Sequence, residues 1–216
     1  MKLNVIKTAI IFVTFGLFTQ GACADDFSKN NANDISINWA DSFRLEAERK
    51  YYDAAKAIEI YTKSSPVNEF AIIRHGWLNY LMGNHNDSIS DYQLALTINP
   101  NSLDSRLGLI LPLLAQARWR EATLHANKVL AVAPWQYYAH VRLMIAEEAQ
   151  LQWNTLEKHA SAVAERYPSD ATVQVYLARA FASQAKKEAA ISVYKKVLQM
   201  VPGHIEATRY LATAGK

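Results

Sequence analysis

The chain has 216 residues, with 23 Lys and Arg against 20 Asp and Glu, and it is 50% hydrophobic and 20% charged with seven Gly and six Pro. That composition excludes a disordered, collagen-like or polytopic membrane chain, and a net charge of +3 supplies no basic field for nucleic acid. The single cysteine, Cys23, excludes a disulfide framework and a zinc knuckle.

Residues 1–24 read as a secretory signal. Lys2 and Lys7 mark a basic start, residues 9–18 form an apolar run, and Ala22-Cys23-Ala24 offers a small-residue cleavage site after Ala24. An uncleaved anchor is the weaker reading, because the apolar run is about half the roughly 20 residues a spanning helix needs. Lipidation at Cys23 is a third, since Gly21-Ala22-Cys23 resembles the end of a bacterial lipobox; Gln20 stands where that motif carries Leu. The expected mature chain, 25–216, has no thiol, which suits an oxidising compartment. Residues 25–34 are polar and aperiodic and are expected to form a flexible leader. The expected location is therefore exported and periplasmic, with membrane anchoring at an uncleaved or lipidated N-terminus as the alternative.

From there a fixed spacing takes over. Pro66, Pro100, Pro134, Pro168 and Pro202 stand 34 residues apart, the period of a helix–turn–helix repeat. Residues 83–100, from Gly83 through Ser88, Tyr92 and Ala95 to Pro100, resemble the second half of a tetratricopeptide repeat, and Gly76 fills the small-residue slot of its first helix. Trp119, Ala122, Val129, Leu130 and Pro134 repeat that tail, as do Lys187, Ala190, Tyr194, Val197, Leu198 and Pro202. Small residues return at Ala54, Ser88, Ala122 and Ala190, with Leu156 as the exception. Small side chains let two antiparallel helices approach while larger ones at i, i+3, i+4 fill the seam. Proline ends the second helix by withholding a donor and forcing the preceding residue out of the helical region.

The resemblance implies an all-α, right-handed superhelical solenoid of five helix hairpins, residues 35–68, 69–102, 103–136, 137–170 and 171–204. A capping helix over 205–216 closes it, with Ile205 and Leu211 expected inward and Glu206 and Arg209 outward. Pro112, off the ruler and inside a first helix, is expected to kink or break it, or to widen the face there into a ligand pocket.

Chemistry-bearing patterns are scarce. Ser192 and Lys195 match S-x-x-K without its companion motifs, and six scattered histidines, with His125 and His159 one repeat apart, offer no ligand set for zinc. Glu147 and Glu148 are adjacent and so point about 100° apart on a helix. No catalytic residue, metal site or cofactor is expected.

The resemblance places the second, fifth, ninth and twelfth residues of each first helix on the concave face. Trp39, Phe43, Phe70, Ile73, Trp77, Tyr80, Leu107, Leu111, Tyr138 and Ile145 then line a largely apolar groove, with Arg74, Arg142 and Arg179 as a charged rim. Two readings stay open: side chains that pack on neighbouring first helices, or a cradle for a peptide or amphipathic helix. The carboxylate clamp found in some members needs Lys and Asn where Trp39, Phe43, Ile73 and Trp77 stand, so that mode fails. The expected function is a non-enzymatic protein–protein adaptor in the cell envelope, binding an envelope protein or peptide segment, with self-association open. A carrier of a small hydrophobic ligand or lipid is the alternative.

Overall fold

The computed structural model describes residues 29–64 and 66–214, with side chains from Asn38 onward. The signal segment, the start of the leader and the end of the capping segment lie outside them. Among the described residues twelve helices follow one another: α1(Lys29–Ala47), α2(Tyr51–Ala57), α3(Glu59–Thr62), α4(Glu69–Leu81), α5(His85–Ile98), α6(Leu103–Ala115), α7(Trp119–Val132), α8(Tyr137–Ala149), α9(Trp153–Arg166), α10(Ala171–Ser183), α11(Lys187–Met200) and α12(Ile205–Ala214). Each helix packs on the next, and α4, α6, α8 and α10 also touch in series. The result is a solenoid whose first helices form one wall.

Local chemistry explains where each helix starts and stops. A side chain caps each new first helix by accepting the amide three residues on: Asn68 from Ala71 (3.0 Å), Ser102 from Ser105 (3.2 Å), Gln136 from Ala139 (2.8 Å) and Asp170 from Val173 (2.8 Å). His204 does the same for Ala207 through Nδ1 (3.3 Å). First helices end on a left-handed residue at Arg49, Gly83, Ala117, Leu151 and Ala185, with φ of 60°, 82°, 58°, 56° and 57°. There the amides fold back in a Schellman pair, as when Ala117 N–H meets Leu114 O (3.0 Å) and Arg118 N–H meets Leu113 O (2.9 Å). Second helices end because the residue before proline leaves the helical region: Asn99, Ala133, Tyr167 and Val201 have ψ of 91°, 80°, 66° and 85°.

The seam is apolar and tight. Ala54, Ser88, Ala122, Leu156 and Ala190 are all buried, and Ser88 Oγ donates to Gly76 O at 2.7 Å. Tyr92, 2% exposed, is wedged between Gly76 and Gly108. A Cβ on Gly108 would land inside the Tyr92 ring, so α6 can close on α5 only without one.

Four expectations meet a different structure. Helix α1 begins at Lys29, so residues 29–34 of the expected leader are helical; no Pro or Gly interrupts the stretch. Pro112 does not break α6: the helix runs on to Ala115, and Gln116 N–H bonds the Pro112 carbonyl at 3.0 Å. Its own side chain is buried with those of Leu109, Ile110 and Leu113, while Leu107 and Leu111, beside which a pocket was expected, are half-buried. Ile205 is 74% exposed and Glu206 turns inward. Ile205 is the first residue of α12, and Ala207 takes the buried place. The first hairpin also departs from the rest, since its second helix is interrupted at buried Ile58.

Candidate functional site

Three sections of the first-helix wall differ in character. At its N-terminal end, Trp39 stacks on Tyr61 (centroids 5.2 Å apart) and leans on Phe70 (4.9 Å). Phe70 and Phe43 remain open, at 45% and 44% exposure. The Arg74 guanidinium lies 3.8 Å over the Phe43 ring, and donates to Ser42 Oγ (3.0 Å) and Glu46 Oε2 (2.6 Å). Trp77 Nε1–H reaches the other Glu46 oxygen at 2.7 Å and its ring tilts against Tyr80 (5.7 Å). Burial pulls the Arg74 pKa down against the pull of Glu46.

The central section is apolar except for one cation. Ile73, Leu107 and Ile145 are half-buried and pack on the cluster built around Ile110 and Leu113, while Leu111 and Tyr138 stand half-buried between them. Arg142 donates through Nη1 to Leu107 O at 2.5 Å and lies 5.7 Å from the Tyr138 ring centroid. Burial pushes its pKa down to about 10.

At the C-terminal end Arg179 is held by two acids, Glu148 (3.1 Å) and Glu206 (2.5 Å), and Tyr194 donates to Glu206 at 2.7 Å. The bond to Glu206 chiefly raises the Arg179 pKa against burial. Burial raises the carboxyl of Glu148. For Glu206 burial acts in the same direction, but the bonds from Arg179 and Tyr194 prevail and hold its pKa below the ordinary value.

The three arginines therefore do not form a rim. Arg74 is 6% exposed with its charge spent on Glu46, and Arg179 closes an ion-pair network between hairpins. Nor is the apolar strip wholly one thing: its centre partly packs on itself, whereas Phe43 and Phe70 stay open.

A polar cluster escaped sequence reasoning. His140 donates from Nε2 to Pro134 O (2.9 Å), which leaves Nδ1 to accept from His159 Nε2 (2.8 Å), while His159 Nδ1 faces Glu147 Oε2 at 2.9 Å. Burial holds His140 below its ordinary pKa, in the neutral form this chain of bonds needs. The same two positions in the second repeat hold Asn79 and Asp91, bonded at 2.8 Å, so comparison of equivalent positions across repeats was the available signal. No group of His, Cys, Asp and Glu among the described residues is arranged to hold a metal. Ser192 and Lys195 are both exposed on α11. Among the described residues one shallow depression lies at the turns by Trp119 and Gln152, and another lies between α9, α10 and α11, by Ser161, Gln174 and Lys196.

Residues 71–102 match the family described as the tetratricopeptide repeat. No curated protein matches the chain. Among solved structures, MamA 41-end from Desulfovibrio magneticus superposes with a TM-score of 0.72 at 14% identity, covering 80% of this chain and 98% of that one. A thermophilic TPR protein from Thermus thermophilus gives 0.62 at 16% identity, with 83% and 97% covered. YrrB, described as a TPR protein with an unusual peptide-binding site, gives 0.66 at 15% identity, with 84% and 93% covered. At such identities the likeness is one of fold.

Proposed function

This chain is a tetratricopeptide-repeat protein, and from that premise we propose that it is a non-enzymatic scaffold holding a segment of a partner protein along its first-helix wall. The fold is that of protein–protein interaction scaffolds. The observation that carries the finer reading is the apolar strip that runs from open Phe43 and Phe70 past half-buried Leu111 and Tyr138 to Ile145. Open aromatic anchors beside a shaped apolar strip are what peptide docking uses. The peptide-binding site named for the similarly folded YrrB supports it.

In this reading the partner is an envelope protein. The support is the signal-like pattern of residues 1–24 and the absence of cysteine from 25–216. No helix of the described residues is long and apolar enough to cross a membrane. Membrane contact then runs through the partner or through an uncleaved or Cys23-lipidated N-terminus. N-terminal sequencing of the protein from its native host tests cleavage: a start at Asp25 is expected, and an intact Met1 contradicts it and leaves the uncleaved anchor.

Photo-crosslinking tests the wall. A benzophenone side chain placed at Leu111 should trap a partner from native extract, while one at Leu124, 52% exposed on α7, should not. Traps from Leu124 alone would move the site to the second helices. Substituting Phe70→Glu should weaken the Leu111 crosslink.

A further inference from the structure

Arg74 and Arg142 hold the same place in their repeats, the sixth residue of a first helix, two 34-residue units apart. Their surroundings are not the same. Arg74 finds Ser42 and Glu46 waiting on the first helix before it, at 3.0 and 2.6 Å. The residues at those two places before Arg142 are Ile110 and Leu114, both buried and neither able to accept a hydrogen bond. Arg142 is left with one bond of its own, to Leu107 O at 2.5 Å. The side chains around it include Tyr92, Tyr80 and Tyr138, none of them a carboxylate. Among the described residues no carboxylate pairs with it, whereas Arg179 has two.

A half-buried cation without a counter-charge is unfavourable unless something completes it. The guanidinium carries five N–H donors in a planar fork, and the bond to Leu107 fixes its orientation while leaving the rest of the fork unbonded within the chain. The wall around it is apolar in both directions: Trp77 and Leu111 precede it, and Ile145 follows on the next turn of α8. A chain terminus ending at Arg142 would leave half of that strip uncovered.

We propose that Arg142 anchors a single Asp or Glu side chain in the middle of the partner segment, with apolar residues of the segment on both sides of it. The inference rests on the reading that the first-helix wall binds a segment, and it adds the chemistry that wall selects. Leu107 O positions the guanidinium, Tyr80 and Tyr138 flank it, and the incoming carboxylate takes the place that Glu46 takes at Arg74.

The test uses a library of random 12-residue peptides displayed on phage, selected on the purified protein and in parallel on Arg142→Met. Sequences recovered on the unaltered protein should share an Asp or Glu flanked by apolar residues, and those recovered on Arg142→Met should not. By fluorescence anisotropy, replacing that Glu by Gln in the best peptide should weaken binding roughly tenfold to a hundredfold, the range for a hydrogen bond to a charged group. Arg142→Lys should retain part of the preference. Leu114→Glu supplies the missing acid from within and should abolish it, and circular dichroism checks that each variant is folded. Peptides that need Leu111 but show no acidic preference would overturn the Arg142 assignment and leave the groove standing. Failure to recover any peptide sensitive to Leu111→Glu would overturn both.

Discussion

The seam between helices and the first-helix wall are made by the same repeats, yet they obey opposite rules. In the seam, equivalent positions do equivalent work: five residues cap new helices, five turns take a left-handed residue, and four residues before prolines leave the helical region, all at the same interval. On the wall, equivalent positions diverge. The sixth residue of successive first helices is Arg74, Gly108, Arg142 and Tyr176, and one arginine is paired where the other is bare. Where the sequence repeats it specifies the hairpin, and where it stops repeating the wall acquires its own chemistry.

The sharpest way to break this comparison is at Gly108, where a wall position also serves the seam. Gly108→Val would drive the three carbons of an isopropyl group into Tyr92 and should cost about 3 kcal/mol or more, because a buried ring between two helices cannot move aside. Gly203→Ala meets nothing within 4 Å and should shift thermal unfolding little. Next comes the seam position that does not repeat. Leu156→Ala installs the residue that three other repeats use, but α9 is spaced for a fully buried leucine, so a loss of about 3 kcal/mol is expected in denaturant titration.

Smaller effects sharpen it. Glu206→Gln removes one acid from Arg179, and with its side chain 35% exposed the loss should be on the order of 1 kcal/mol after solvent screening. Its folded pKa lies below the ordinary 4.5, so the stability it contributes is present above that value and is lost as pH falls through the folded value. The acid limb of a stability–pH curve should therefore be shallower in Glu206→Gln. The smallest effect is a gain. Leu151 adopts φ 56° without being glycine, so Leu151→Gly should stabilise by about 1 kcal/mol, and Gly83→Ala should lose a similar amount.

How much of this was legible in the sequence follows the same division. Prolines and small residues announced the hairpins because each acts alone: a missing N–H or a missing side chain needs no partner to be recognised. Asn68, Ser102 and Asp170 are ordinary cap residues, whereas Gln136 and His204 cap by geometry that only the assembled turn provides. Of the five left-handed turn residues only Gly83 carried a signal, since Arg49, Ala117, Leu151 and Ala185 are held there by the Schellman bonds of the hairpin. Ile205 faces out and Glu206 in, against the expectation, because helical periodicity gives their spacing but not which face of α12 meets Arg179 and Tyr194. The contrast between Arg74 and Arg142 needed the contact between the sixth residue of one repeat and the eighth and twelfth of the repeat before it. That contact is a property of stacking.

The most direct measurement of the central claim is a map of backbone amide shifts by NMR as a selected 12-residue peptide is titrated into the protein. Shifts should gather on α4, α6 and α8, around Phe70, Leu111, Arg142 and Ile145, and leave Leu124 and Val132 on α7 undisturbed. Shifts gathered on α5, α7 and α9 instead would contradict a first-helix binding wall and assign the function to the opposite face.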